Sequence, residues 1–100
     1  MSLEFTFVGE LFRTAETANG AWVFASLPTD RADEIRELVT QRSGFGSVRV
    51  TASIGTSEWQ TSVFLSKELG TYLLPVRRSV RVQERIDSGD AVEITIRVET

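Results

Sequence analysis

The sequence predicts a mainly β fold with two helices, built from short antiparallel strands as a small barrel or sandwich. Three observations carry this. Apolar and polar residues alternate over several short stretches, most cleanly where Val92, Ile94, Ile96 and Val98 interleave with Glu93, Thr95 and Arg97. Two stretches, after Pro28 and after Pro75, place their apolar residues on one side of a helix instead. Turn-forming residues separate these stretches, as at Asn19-Gly20, Gly55-Thr56-Ser57 and Asp87-Ser88-Gly89-Asp90. A strand as apolar as Val92 to Val98 is hazardous at an open sheet edge, and closing the sheet removes that edge.

The first strand is read from Leu3, Phe5 and Phe7, which alternate with Glu4 and Thr6 and continue to about Phe12. Gly9 within it suggests a bulge or a bend at a barrel corner. Ala21 to Leu27 is apolar on both faces, Trp22 and Phe24 on one and Val23, Ala25 and Leu27 on the other. Such a strand is expected to be covered on both sides, with a helix over it. Thr29 or Asp30 can cap the helix of about 31–42, and Asp33 and Glu34 suit the positive end of its dipole. Ala32, Ile35, Leu38 and Val39 form its apolar stripe, and Gly44 and Gly46 are natural stops.

Val48, Val50, Ala52 and Ile54 predict the next strand, and Gly55-Thr56-Ser57 a hairpin into Glu58 to Leu65. There Trp59, Thr61, Val63 and Leu65 share one face. A loop with Gly70 follows, then a short extended piece, Tyr72 to Leu74, because a residue before proline is pushed out of helical geometry. Pro75 suits the first position of a helix of about 75–86. On that helix Val76, Val80, Val82 and Ile86 are expected to face the barrel, and Arg77, Arg78, Arg81 and Arg85 to face away. No repeat, linker or low-complexity segment interrupts the chain, so residues 1–100 are expected to form one domain.

Composition bounds the function. The chain is 41% hydrophobic and 25% charged, ordinary for a globular domain that buries its own core. A net charge of −3 argues against broad attraction to nucleic acid or an anionic membrane, although a local basic patch survives such a balance. No apolar run reaches the ~18 residues of a membrane span, and no secretory leader is visible. The absence of Cys removes disulfides, thiolate zinc sites and thiol nucleophiles. The absence of His removes Ser-His and Cys-His catalysis and imidazole metal sites. Lack of Cys and of a leader points to the cytoplasm. No motif calls for a cofactor or a metal.

Three groups of residues invite a functional reading, each beside a plainer one. Arg77, Arg78, Arg81 and Arg85, with Lys67 nearby, form an anion site or a solvated face balanced by Glu84, Asp87 and Asp90. Arg77 and Arg81, one turn apart, are the strongest pair. Trp59, Trp22 and Tyr72 line a stacking pocket or belong to the core, and Tyr72, beside Gly70, is the better pocket residue. Ser62 is a nucleophile or oxyanion donor only if Lys67 reaches it, and otherwise a strand residue. Asp87 and Asp90 read as a hydrogen-bonded turn more readily than as a cation loop.

Residues 59 to 92 resemble a bacterial family known as domain of unknown function 1905. Trp59, Thr61, Ser62 and Phe64 match its Trp and Thr-Ser…Phe pattern. Gly70, Tyr72, Leu74, Pro75, Val76 and Arg77 match its Gly-x-Tyr-x-Leu-Pro-Val-basic stretch, and Arg81, Gly89, Asp90 and Val92 its last part. Trp22-Val-Phe before Leu27-Pro28 fits as well. The chain departs where relatives carry a Lys-Ala-Glu-Gly-Ile-like stretch, since it has Val82-Gln-Glu-Arg-Ile. The resemblance implies a small closed antiparallel β-barrel of the double-split kind, similar to AbrB-like regulators, and a module that longer relatives join to a bacteriocin-protection-type domain. It implies no activity.

The expected function is a non-enzymatic module that binds a small anion or anionic metabolite, or serves interactions. Its candidate ligand residues are Arg77, Arg81, Lys67, Tyr72 and Ser62. Arg81 is expected to serve a ligand rather than stability. A DNA-binding regulator of AbrB-like architecture, acting as a homodimer, is the second reading, and an enzyme of unassigned reaction the third. Nucleic acid and membrane are not expected partners.

Overall fold

A computed structural model describes residues 3–14, 22–39 and 47–98. Six strands and two helices follow one another: β1 (Glu4–Arg13), β2 (Val23–Ser26), α1 (Thr29–Val39), β3 (Ser47–Ile54), β4 (Ser57–Ser66), β5 (Thr71–Pro75), α2 (Arg78–Glu84) and β6 (Ala91–Val98). The strands close into a barrel in the order β1-β2-β5-β4-β3-β6, every pair antiparallel. The expected closed antiparallel barrel with two helices is therefore the fold. No helix among the described residues is long and apolar enough to cross a membrane. The turn at Asn19-Gly20 and the helix stops at Gly44 and Gly46 lie outside the described residues.

Alternation builds the interior. Val92, Ile94, Ile96 and Val98 turn inward from β6, and the register sets Phe5 opposite Ile96 and Phe7 opposite Ile94. Gly9 is no bulge. The ladder runs through it without a break, Gly9 facing Val92, and a Cβ there would come within 2.9 Å of the Phe7 ring. Beyond it, the Leu11 N–H donates to the Asp90 carbonyl and the Leu11 carbonyl accepts from the Gly89 N–H, so β1 stays beside the chain leading into β6 while pairing with β2 from Leu11.

The two helices stand at opposite ends of the barrel. α1 follows β2 at the end where β1 starts and β6 finishes. There Ala32 and Ile35 are buried, and the Arg31 guanidinium lies 5.4 Å from the centre of the Phe5 ring. Leu38 is more exposed than the stripe predicts. α2 follows β5 at the other end, beside the β3–β4 hairpin, with Val76 and Val80 closing the core.

Two expectations about these elements are corrected. β2 is not covered on both sides. Val23 and Ala25 are buried, but Trp22 is 52% exposed. It stacks on Phe24 at 6.0 Å, and Phe24 meets Phe12 at 6.1 Å, so the outer face is an aromatic row rather than a helix contact.

α2 is also shorter than residues 75–86. Pro75 stays in the sheet opposite Phe24, and the Val76 N–H donates to the Val23 carbonyl. The helix ends where Arg85 turns left-handed, at φ 56° and ψ 47°. Val82 does not face the barrel and is 68% exposed, because two residues along a helix is a turn of about 200° from Val80.

Candidate functional site

The end of the barrel capped by α2 is held by carboxylates. The β3–β4 hairpin turns through Gly55 and Thr56, with Ile54 facing Ser57. Gly55 has φ +57°, and a Cβ there would overlap the Glu84 carboxylate. The carboxylate can therefore approach the turn, where it accepts hydrogen bonds from Ser57 Oγ at 2.7 Å and Thr56 Oγ1 at 3.1 Å. The Ser57 hydroxyl is the main reason that Glu84 titrates below its ordinary value of 4.5. This latch ties the last residue of α2 to the hairpin.

The latch predicts an acid limb. A carboxyl group whose pKa is lowered by folding stabilises the fold above its unfolded value and loses that contribution as pH falls through its folded value. Thermal melts should therefore show the midpoint falling as pH drops below about 4.5, and Glu84→Gln should flatten that limb. An unchanged limb in the variant would mean that the latch adds nothing to stability.

Asp87 anchors the turn that leads into β6. Its Oδ1 accepts from the Ser88 N–H at 2.8 Å and from Arg81 Nη1 at 3.3 Å, and Arg13 Nη2 lies 3.6 Å away. The Ser88 N–H is the first cause of its lowered pKa, with Arg81 and Arg13 behind it. Asp90 Oδ2 accepts from the Asp87 N–H at 2.8 Å. Both aspartates thus hold the turn. Among the described residues no group of three His, Cys, Asp or Glu is placed to hold a metal.

The structure does not bring the candidate ligand residues together. Arg77 is exposed at the start of α2, where Nη2 donates to the Gln60 carbonyl at 3.1 Å, and it makes no ion pair among the described residues. Arg81, expected to face away with it, folds back instead. Its side chain is 17% exposed, and Nε donates to the Val76 carbonyl at 3.3 Å while Nη1 reaches Asp87.

Lys67 is exposed in the turn after β4, at the far end of the barrel. Ser62 is half-buried on β4 opposite Arg49, five residues and so about 16 Å along the chain from Lys67. Tyr72 turns into the barrel. The register sets it opposite Leu65 on the inner face, and it is 3% exposed.

What does gather around Arg77 is an open cleft of about 470 Å3 between α2 and the hairpin. Thr56, Ser57, Glu58 and Trp59 line it from the hairpin side, and Arg77, Ser79, Val80 and Gln83 from the helix side. Trp59 is buried, as its place on β4 predicts. Its indole Nε1–H is covered and has no acceptor among the described residues. Sequence reasoning found Arg77 and Trp59 but not Glu58, Ser79, Gln83 or the Glu84 latch.

A six-stranded antiparallel barrel with a helix over each end defines the class of domain. The chain matches the family described as Domain of unknown function (DUF1905) over residues 7–96, nearly its whole length, and belongs to that family. No curated protein matches it.

Proposed function

We propose that the domain is a non-enzymatic binding module whose cleft between α2 and the β3–β4 hairpin takes a small ligand through an anionic group. The observation that carries this is an unspent cation in the cleft lining, the exposed Arg77 guanidinium, which has no ion pair among the described residues. A guanidinium has five N–H donors in a planar fork, and among the described residues only one bond of Arg77 is spent, on Gln60. A size of about 470 Å3 is within the range of small-molecule sites. A module rather than an enzyme is favoured because the chain has neither His nor Cys. A role in reading DNA draws no support from the arginines: Arg81 is committed to Val76 and Asp87, and the chain is acidic overall.

A thermal-shift screen with phosphates, nucleotides and small carboxylates tests this. At least one should raise the melting temperature at millimolar concentration, and Arg77→Ala should abolish the rise while changing the stability of the free protein by no more than about 0.5 kcal/mol. A screen with no shift, or a shift indifferent to Arg77→Ala, would overturn the proposal.

A further inference from the structure

The geometry points to a zwitterion of amino-acid size as the occupant of this cleft, an inference that rests on the anion-binding reading above. Arg77 is not the only charged side chain in the lining, because Glu58 shares it. Glu58 and Gln60 are both exposed on the outer face of β4, two residues and so about 7 Å apart. Arg77 is fixed to the Gln60 carbonyl. The cleft therefore carries a positive group and a negative group held at separate points along one strand.

Neither charge is neutralised. Arg77 and Glu58 form no ion pair among the described residues, with each other or with anything else. The nearby Glu84 differs, since its carboxylate is occupied by the Thr56 and Ser57 hydroxyls. A polyanion entering here would be attracted by Arg77 but repelled by Glu58. A cation alone would meet the reverse. A molecule with a carboxylate at one end and an ammonium at the other satisfies both, with Val80 and the Trp59 ring as an apolar wall for the methylenes between.

Calorimetry on the intact chain with three kinds of probe tests this: acetate for the anion alone, ethylammonium for the cation alone, and glycine, β-alanine and 4-aminobutyrate as zwitterions of increasing reach. At least one zwitterion should bind about tenfold tighter than acetate, and ethylammonium should bind weakest. Glu58→Gln should erase the advantage of the zwitterion while leaving acetate binding unchanged or improved. Arg77→Ala should weaken both. Both substitutions are at exposed positions and should leave the melt of the free protein unchanged. If acetate matches every zwitterion, or Glu58→Gln leaves the best zwitterion unaffected, the inference fails while the anion-binding reading stands. If no probe binds, the inference fails, and the anion-binding reading fails with it when the phosphates and nucleotides of the thermal-shift screen are also without effect; if Arg77→Ala changes nothing, both fail.

Discussion

Tyr72→Ala is expected to cost about 3–5 kcal/mol of folding stability, the range for truncating a buried aromatic side chain to alanine. Tyr72 is 3% exposed and faces Leu65 across the β4–β5 ladder. Its own carbonyl accepts from the Leu27 N–H at 2.9 Å, and the neighbouring Thr71 hydroxyl donates to the Leu27 carbonyl at 2.8 Å. The backbone on both sides of the ring is thus fixed, and the barrel wall has little freedom to collapse into the space left. Denaturant melts should show a lower midpoint with an unchanged slope. A loss below about 0.5 kcal/mol would return Tyr72 to the pocket role that its position beside Gly70 suggests.

Arg81→Ala should be the second largest effect, a loss of about 1–3 kcal/mol. The stem of the side chain is mostly covered, and its Nε–H serves the Val76 carbonyl where the chain leaves β5 for α2. Removing it takes a donor from that carbonyl and exposes the packing beneath the stem. The pair with Asp87 adds little, since that carboxylate is 59% exposed. This replaces the expectation that Arg81 serves a ligand and is dispensable to the fold. The informative comparison is with Arg77→Ala in the same melts. Equal stability of the two variants would show that the folded-back guanidinium contributes nothing.

The strands were legible because alternation is local: each of β1, β3, β4 and β6 shows its inner face in its own residues. The helix after Pro28 was nearly as plain, but it starts at Thr29 rather than about residue 31, so Thr29 and Asp30 lie in its first turn instead of capping it. The rest depended on partners distant in sequence. Pro75 has the local character of a helix start, but Phe24 and Val23 hold it and Val76 in the sheet. Tyr72 looks like a loop-side residue until Leu65 fixes which way it turns. Trp22 and Phe24 suggested a covered face, yet the aromatic rings cover one another in part instead.

The candidate site was the least legible. Arg77 stands out as a cation, but Arg81 shares its direction only on a helix that includes both, and Arg77 is extended, one residue before α2 begins. Glu84 reaches the hairpin hydroxyls 27 and 28 residues before it, and no spacing rule announces such a contact. Glu58 gave no signal either, since an exposed carboxylate on a strand is ordinary until an arginine is found over the next outward residue.

The pairing of β1 with β6 has a consequence for the order in which the molecule assembles. Glu4 faces Arg97 and Glu10 faces Ala91, so this ladder joins the two most distant strands of the chain. The β3–β4 hairpin can form on its own local timescale, and β5 can add to it early. The β1–β6 ladder must wait until a loop of some eighty residues has been drawn together, an entropic cost met before any of its hydrogen bonds form. During synthesis from the N-terminus, β1 is made first and held longest without its final neighbour. Through that interval its Phe5 and Phe7 have no β6 to pack against, and a chaperone or a second nascent chain would meet this strand before its own partner does.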